Sequence, residues 1–240
     1  MMEFPRLDTT KLAVSNTVKD CAHLVKSCYD MFDNSTPLPT RYKQLATLRA
    51  KPLLLSEEMF GFVVLDNDTL FNYVVFRGTR TGKDWIADFM FDQVDHLWGK
   101  VARGFNHIYT QTSDSIKDTL KGAKSSNFVV TGHSLGAALA TLAAADLAIS
   151  GFQGVQMIHF AGPRVGDPMF ARNFNTQVPY ASRIINTEDI VPTTPPPVGE
   201  FTYSHVGVSL EFTNNLGDVK LNHSMDTYLK AITWDSPVNP

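Results

Sequence analysis

The chain has 240 residues, 43% of them hydrophobic, which is enough to bury one sizeable core. The formal net charge is −3, only 19% of residues are charged, and no lysine or arginine cluster occurs, which argues against a nucleic-acid partner. No apolar run approaches the roughly 18 residues that a membrane-spanning helix needs, which argues against a transmembrane segment.

The compartment and the oligomeric state stay open at this stage. The first residues lack the apolar core of a signal peptide, but a processed and secreted chain is compatible with the sequence. Cys21 and Cys28 lie seven positions apart in a predicted helix, about 10 Å along its axis. That separation is too long for a disulfide between them, so a reducing compartment is allowed but not required.

The N-terminal part of the chain predicts a helix followed by a β-hairpin. Apolar residues recur at helical spacing over Thr9–Phe32, and a breaker-rich segment at 33–39 ends that helix. Two apolar runs, Phe60–Leu65 and Leu70–Arg77, are separated by the polar turn at 66–69. This pattern is typical of two antiparallel strands joined by a tight turn.

The rest of the chain alternates strand-like and helix-like segments. They are a helix at Gly104–Lys121, a strand, turn and helix at Asn127–Ser150, strands at Val155–Phe160 and Arg183–Asn186, an antiparallel pair at Phe201–Val206 and Val208–Phe212, and a helix at His223–Trp234. The alternation predicts an α/β fold with a mostly parallel central sheet, antiparallel hairpins at its edges and helices on both faces. We expect a single domain over residues 1–240.

The segment Gly132–Gly136, with the sequence GHSLG, joins the predicted strand Phe128–Thr131 to a helix rich in alanine and leucine. A G-x-S-x-G turn between a strand and a helix is the nucleophile elbow of α/β-hydrolases. The small residues that follow allow the helix to pack closely on the sheet. Ser134 is therefore predicted to be a nucleophile, whereas a serine capping the helix is the structural alternative.

A serine nucleophile needs a base, usually histidine, whose tautomer is held by a carboxylate. In α/β-hydrolases the chain order is serine, acid, histidine, and His159, His205 and His223 all follow Ser134. His159 lies inside a strand run and His205 in a predicted hairpin, where structural roles are expected. His223 opens the C-terminal helix after a loop, which suits a residue reaching back over the sheet.

The acid is expected to be Asp189, because it directly follows the strand Arg183–Asn186 at the sheet edge where α/β proteins collect their ligands. Glu188 is its neighbour and the second choice. Asp218, in the loop before the C-terminal helix, is the third choice, with a solvated surface charge as its structural alternative.

These residues resemble the class 3, fungal-type triacylglycerol lipases, over roughly residues 60–228. The resemblance rests on co-linear motifs: VVFRGT (Val74–Thr79), DWIADF (Asp84–Phe89), GHSLGAALA (Gly132–Ala140), FAGPRVGD (Phe160–Asp167), NTEDIVPTTPP (Asn186–Pro196) and NHSMDTY (Asn222–Tyr228). It implies an α/β-hydrolase fold, with Ser134 as nucleophile, Asp189 as acid and His223 as base. It also implies an oxyanion hole formed by the backbone N–H groups of Leu135 and Thr79.

The resemblance further implies a short lid at about residues 81–92. Its apolar residues fall on one helical face, while its charged residues lie elsewhere: the apolar set is Trp85, Ile86, Phe89 and Met90. Exposing one large apolar side chain costs about 1.5–3 kcal/mol, so opening the lid in water is unfavourable and a lipid surface could accept the same face. We therefore expect activation at oil–water interfaces.

The predicted activity is that of a serine carboxylester hydrolase, most specifically a triacylglycerol lipase acting on a lipid ester, with no metal or cofactor. Two alternatives stay open: a feruloyl- or other carboxylesterase on the same scaffold, and a lipase-like binding protein with an inert site.

The chain departs from the family in having Arg103 before Gly104 and no histidine at Ala102, in lacking cysteines for the disulfides of secreted members, and in being somewhat short. Acyl-chain length and positional preference cannot be read from the sequence.

Overall fold

The computed structural model describes residues 10–52, 56–79, 91–123, 125–196 and 202–233. These residues form a layered α/β structure around a seven-stranded sheet. Across the sheet the strands are β1 (Tyr42–Ala50), β2 (Glu58–Asp66), β3 (Asn72–Phe76), β6 (Phe128–His133), β7 (Gln156–Phe160), β8 (Tyr180–Asn186) and β9 (Val208–Phe212). A separate hairpin consists of β4 (Gln93–His96) and β5 (Gly99–Ala102).

The sheet is antiparallel at one edge and parallel elsewhere. β1, β2 and β3 pair antiparallel, and β3, β6, β7, β8 and β9 pair parallel. Strands in the middle of a parallel sheet are covered on both faces and therefore read as continuous apolar runs. β3 and β6 have this character, and both are buried throughout. The predicted mostly parallel sheet and the predicted hairpin of β2 and β3 are confirmed.

Helices cover both faces of the sheet. They are α1 (Asn16–Asn34), α2 (Arg103–Lys121), α3 (Leu135–Ile149), α4 (Pro168–Gln177), α5 (Val219–His223) and α6 (Met225–Ile232), with a 3₁₀ turn at Val191–Thr193. Ser15 caps the start of α1 through Val18 N–H, and Ser35 ends that helix in the left-handed conformation. The predicted stop at 33–39 is confirmed.

The sheet separates two hydrophobic clusters, because successive side chains of a strand point to opposite faces. On β3, Val74 and Phe76 join the cluster that contains α2, α3 and α4, whereas Tyr73 and Val75 join the cluster that contains α1 and α6. Helix α3 is buried on nearly every side, which explains its composition of alanine and leucine. Cys21 and Cys28 are buried and unpaired, as predicted.

Several sequence predictions need correction. Val208–Phe212 pairs parallel with β8, so it is not half of an antiparallel pair, and in the predicted partner segment Ser204 forms only an isolated bridge to Gly166. The C-terminal helix is broken at Ser224, which ends α5 and caps α6. The sequence analysis also missed β1 and the β4–β5 hairpin. Of the helices in the described ranges, none has the length and hydrophobicity needed to cross a bilayer.

Candidate active site

The turn between β6 and α3 presents Ser134 in a strained backbone conformation, with φ 59° and ψ −127°. Only glycine fits two positions before and two positions after it. A Cβ on Gly132 would lie 2.2 Å from the carbonyl oxygen of Gly136, and a Cβ on Gly136 would lie 2.5 Å from that of Arg77. The two glycines therefore let the helix start directly against the strands, and this close packing holds the serine at the corner.

The imidazole of His223, the last residue of α5, connects this serine to a carboxylate. His223 Nε2 lies 2.8 Å from Ser134 Oγ, and His223 Nδ1 lies 2.8 Å from Asp189 Oδ2. A carboxylate only accepts hydrogen bonds, so Nδ1 carries the proton and Nε2 is free to accept the serine hydroxyl. Ser134 and Asp189 are 3% and 2% exposed, which removes competing water from both ends of the chain of hydrogen bonds.

Asp189 is fixed by two further donors. Its Oδ1 accepts from Val191 N–H at 2.9 Å, and its Oδ2 accepts from Tyr228 Oη–H at 2.8 Å. Tyr228 Oη in turn accepts from Asn186 N–H at 3.0 Å. Burial, together with the nearby Asp189 charge, raises the pKa of Tyr228 well above its usual value, so the phenol remains a donor.

The segment that carries His223 is anchored through asparagine side chains. Asn186 Nδ2 donates to the carbonyl of Asn222 at 3.0 Å, and Asn222 Nδ2 donates to the carbonyl of Glu188 at 3.2 Å. Asn222 Oδ1 accepts from Leu216 N–H at 2.8 Å. The segment that carries Asp189 and the segment that carries His223 are therefore also connected by hydrogen bonds other than the one between these two residues.

The loop that follows β3 supplies a polar group, the hydroxyl of Thr79, near Ser134. Thr79 Oγ1 is buried and has no hydrogen-bond partner among the described residues, which is costly unless something polar fills the space in front of it. The neighbouring Gly78 packs so closely that an added Cβ would lie 2.9 Å from Ser134 Cβ. Leu135 begins α3, and the first N–H groups of a helix have no acceptor within the helix.

The alternative candidates have other partners. His205 Nε2 donates to the carbonyl of Pro192 at 2.8 Å, and the pKa of His205 is lowered to about 4 by burial and the nearby Arg183. His159 is 2% exposed, and the same causes lower its pKa to about 3. Both histidines are therefore neutral at pH 7 and lie within the fold's own packing.

Of the acid alternatives, Glu188 is exposed and accepts from Asn215 Nδ2 at 2.8 Å. Asp218 caps the start of α5 by accepting from the N–H groups of Lys220 and Leu221 at 2.7 and 3.0 Å. Neither carboxylate bonds the imidazole of His223, which has Asp189 on its Nδ1.

A cleft of about 320 Å³ opens beside Thr79 and His223. Charged side chains line much of it, contributed by the C-terminal half of α1 and by α5 and α6: Lys26, Asp30, Asp33, Lys220 and Asp226. Two of the carboxylates pair with Lys26, Asp30 at 2.5 Å and Asp226 at 4.0 Å. The cleft within the described residues therefore combines apolar surface with charged side chains of both signs. The predicted lid residues Trp85, Ile86, Phe89 and Met90 lie outside the described residues.

Sequence reasoning did not assign roles to four side chains that contact the site: Tyr29, His133, Asn186 and Tyr228. Tyr228 was visible only as the final residue of the NHSMDTY motif. His133 directly precedes the nucleophile in the turn, and no pattern in the sequence indicates its partners. Tyr29 is 104 positions from its hydrogen-bond partner, and no spacing rule links residues so far apart.

The comparisons with known proteins agree with this geometry. A family model described as Lipase (class 3) matches residues 73–199, which is more than half of the chain. A lipase of Rhizomucor miehei is 37% identical over 155 residues, covering 60% of this chain and 42% of that protein. Secreted mono- and diacylglycerol lipase 1 of Fusarium solani is 40% identical over 153 residues, covering 60% and 45%. The chain therefore spans less than half the length of these curated relatives.

Among solved structures, the triacylglyceride lipase of Rhizomucor miehei matches with a TM-score of 0.70 at 28% identity. The match covers 85% of this chain and 83% of that chain. With the sheet order described above, this likeness confirms the predicted α/β-hydrolase fold.

Proposed function

This chain belongs to the class 3 lipases, and from that premise we propose that it is a serine carboxylester hydrolase that cleaves lipid esters through an acyl-enzyme. The observation that carries the proposal is the unbroken hydrogen-bonded chain from Ser134 Oγ through the His223 ring to Asp189. This arrangement can raise the nucleophilicity of a hydroxyl at neutral pH, which a helix-capping serine would not require.

In the proposed mechanism, His223 Nε2 takes the hydroxyl proton while Ser134 Oγ attacks the ester carbonyl. The resulting imidazolium is stabilised by Asp189, which stays ionised. His223 then gives the proton to the departing alcohol, and the acyl group remains on the serine. Water enters, loses a proton to His223 and releases the acid, which regenerates the enzyme. The mechanism calls on no metal or cofactor.

We assign the oxyanion hole to Leu135 and Thr79. The N–H of Leu135 stands at the positive end of α3, and the Thr79 N–H and hydroxyl lie in the loop that packs on Ser134. The buried Oγ1 of Thr79 supports this assignment, because an oxyanion would supply the acceptor that this hydroxyl lacks among the described residues.

The experiment that tests the proposal is hydrolysis of a short-chain nitrophenyl ester by wild type and by Ser134→Ala. We expect a loss of about 10⁴- to 10⁶-fold in kcat with unchanged melting temperature. Ser209→Ala, on the edge strand β9, is the matched control and should be fully active. A fluorophosphonate should label wild type and not Ser134→Ala. A wild-type chain that is folded but neither turns over ester nor takes the label would favour the inert binding protein instead.

Triacylglycerol is the substrate that family membership favours, and the contrast of tributyrin with methyl ferulate separates it from the feruloyl-esterase alternative. Activation at an oil–water interface stays a prediction from the lid sequence. It would appear as a jump in rate when tributyrin exceeds its solubility limit, and a smooth curve would contradict it.

The charged cleft favours a second candidate substrate, a glycerophospholipid with a zwitterionic head group. Its phosphate could face Lys220, and its ammonium group could face Asp226, whereas Lys26 is paired with Asp30. Phosphatidylcholine and triacylglycerol with the same acyl chains, in mixed micelles, form the test. Lys220→Gln should lower the rate on phosphatidylcholine relative to triacylglycerol about threefold to tenfold, whereas exposed Lys230→Gln on α6 should not. An unchanged ratio would exclude the head-group assignment.

A further inference from the structure

His133 directly precedes the nucleophile, borders the cleft and packs against the ring of the base. It is 4% exposed, and its ring is packed on three others. The ring centroid lies 4.8 Å from that of His223, with a tilt of 35°, and 5.8 and 5.9 Å from those of Tyr29 and Tyr228. Both ring nitrogens are bonded within the protein, to Tyr29 Oη and to the main-chain carbonyl of His223, so His133 is not available for proton transfer to or from the ester.

The hydrogen bonds of His133 determine its tautomer. Its Nε2 lies 2.8 Å from the main-chain carbonyl of His223, which can only accept, so Nε2 carries the proton. Burial and the neighbouring His223 hold the pKa of His133 well below its usual value, so the ring carries no second proton. Its Nδ1 must then accept, and Tyr29 Oη, 2.9 Å away, donates to it.

Tyr29 extends this chain of hydrogen bonds to the loop after β3. Its Oη accepts from Gly78 N–H at 2.8 Å. Gly78 is the residue before Thr79, and it also packs against the Cβ of Ser134. One directed chain of bonds therefore runs from Gly78 N–H to Tyr29, from Tyr29 to His133, and from His133 to the carbonyl of His223.

We propose that Tyr29 and His133 are positioning residues. They hold the loop at Gly78 and Thr79, the turn at Ser134 and the main chain of His223 in one fixed arrangement. This inference rests on the proposed ester hydrolysis. The bond to the His223 carbonyl complements the bond from Asn186 Nδ2 to the carbonyl of Asn222, so two successive carbonyls of the base segment are each held by a buried side chain.

The arrangement matters because the imidazole of His223 must meet Ser134 Oγ at hydrogen-bond distance throughout the cycle. A displacement of about 1 Å in such a group can cost about 10²-fold in rate. The short helix α5 provides little resistance to such a shift by itself, since it has only 5 residues. The carbonyl at its C-terminal end, anchored by His133, removes that freedom.

Three substitutions test the two hydrogen bonds of His133 separately. A glutamine amide nitrogen reaches about as far as imidazole Nε2, so His133→Gln can still donate to the carbonyl of His223. An asparagine oxygen stands near the position of Nδ1, so His133→Asn keeps the bond from Tyr29 and loses the other. Tyr29→Phe removes the hydroxyl that joins His133 to Gly78. Tyr109→Phe is the control, because Tyr109 is a buried tyrosine whose Oη also bonds another side chain, donating to Asp146 at 2.7 Å, but on the other face of the sheet.

We expect Tyr29→Phe and His133→Asn to lower kcat on a soluble nitrophenyl ester about 10- to 100-fold, with KM changed less than about twofold. His133→Gln should retain at least about a fifth of the wild-type kcat, and Tyr109→Phe should lower the melting temperature without lowering kcat. Wild-type kcat in Tyr29→Phe and His133→Asn, measured below their melting temperatures, would overturn the proposal. An equal loss in His133→Gln and His133→Asn would also overturn it.

A second measurement does not depend on turnover. The downfield ring-proton resonance of His223 Nδ1 reports its hydrogen bond to Asp189. The proposal requires this signal to shift or broaden in His133→Asn and to persist in His133→Gln, and an unchanged signal in both would overturn it. A wild-type enzyme without esterase activity would refute the proposed function, while this spectrum would still decide whether His133 positions His223.

Discussion

Asp189→Asn tests the assigned acid, because the amide cannot reproduce all of the carboxylate's bonds. Oδ1 accepts from Val191 N–H, and Oδ2 accepts from Tyr228 Oη–H and His223 Nδ1–H. If the amide nitrogen took the Oδ1 position, it would face the main-chain donor of Val191, which cannot reverse. If it took the Oδ2 position, it would face His223, whose ring can change tautomer. We therefore expect the amide nitrogen to occupy the Oδ2 position.

In Asp189→Asn the ring proton of His223 would therefore lie on Nε2, whereas the mechanism requires it on Nδ1. His223 Nδ1 would accept from the asparagine amide, and Nε2–H would then point at Ser134 Oγ as a donor. Such a ring cannot take the serine proton, so kcat should fall about 10⁴-fold. The hydroxyl of Tyr228 would lose its acceptor, and an unsatisfied buried group of this kind costs ~1–3 kcal/mol. For a chain of this size the melting temperature should fall by roughly 2–12 °C.

The assay is kcat on a soluble nitrophenyl ester at pH 7.5 or so, well below the melting temperature of the variant, together with the rate of fluorophosphonate labelling. Glu188→Gln is the matched control, because Glu188 adjoins Asp189 in the chain, is exposed, and among the described residues its carboxylate accepts a hydrogen bond only from the side chain of Asn215. It should keep activity within about twofold, since surface substitutions of this kind have small effects. If Asp189→Asn keeps more than about a tenth of wild-type activity, or Glu188→Gln loses as much as Asp189→Asn, the reasoning fails.

Three further predictions concern the loop, the turn and the buried histidines. Thr79→Val should lower kcat about 10²-fold without lowering the melting temperature, because its hydroxyl has no partner to lose among the described residues; equal kcat would remove the Thr79 hydroxyl from the oxyanion hole. Gly136→Ala should destabilise the protein by ~1–3 kcal/mol in urea unfolding, because its Cβ would meet the Arg77 carbonyl, whereas Gly122→Ala has room and should not. The pKa of His159 is about 3 in the folded protein, below its value in the unfolded chain, so the unfolded chain binds more protons below pH ~6.5. The free energy of unfolding should therefore fall as the pH decreases below that value, by up to ~1.4 kcal/mol per pH unit. His159→Gln should flatten that slope, and a slope equal to wild type would contradict the assignment.

The parts of the site that could be predicted are those determined by residues that are adjacent in the sequence. The turn at Ser134 is a contiguous pattern, and the strand before it and the helix after it follow from adjacent residues. The order of acid and base along the chain restricted the choice to a few candidates. Asp189 was selected because it follows a predicted strand, and His223 because it was expected to open a helix. The structure places His223 at the end of a short helix instead, and still joins it to both Ser134 and Asp189.

The parts that could not be predicted depend on contacts between distant segments. Alternation in Val208–Phe212 indicates a strand with two different faces, but it does not specify a neighbour, and the parallel pairing with β8 was missed for that reason. The strand β1 lacks a regular alternation of buried and exposed residues, and its register with β2 shifts twice. Tyr29 contacts the site only because α1 packs against the face of the sheet that also carries α6.

That shared packing has a consequence for how the enzyme gains activity during folding. The first helix of the described chain contributes the phenol of Tyr29, and the last contributes that of Tyr228, so the two ends meet around the triad. Leu12 N–H even bonds the carbonyl of Ala231, at 3.0 Å. In the proposed hydrolase the sheet alone would not complete the site, because α1 and α6 must both dock to place the two phenols. Ester turnover would then report the correct packing of these two helices.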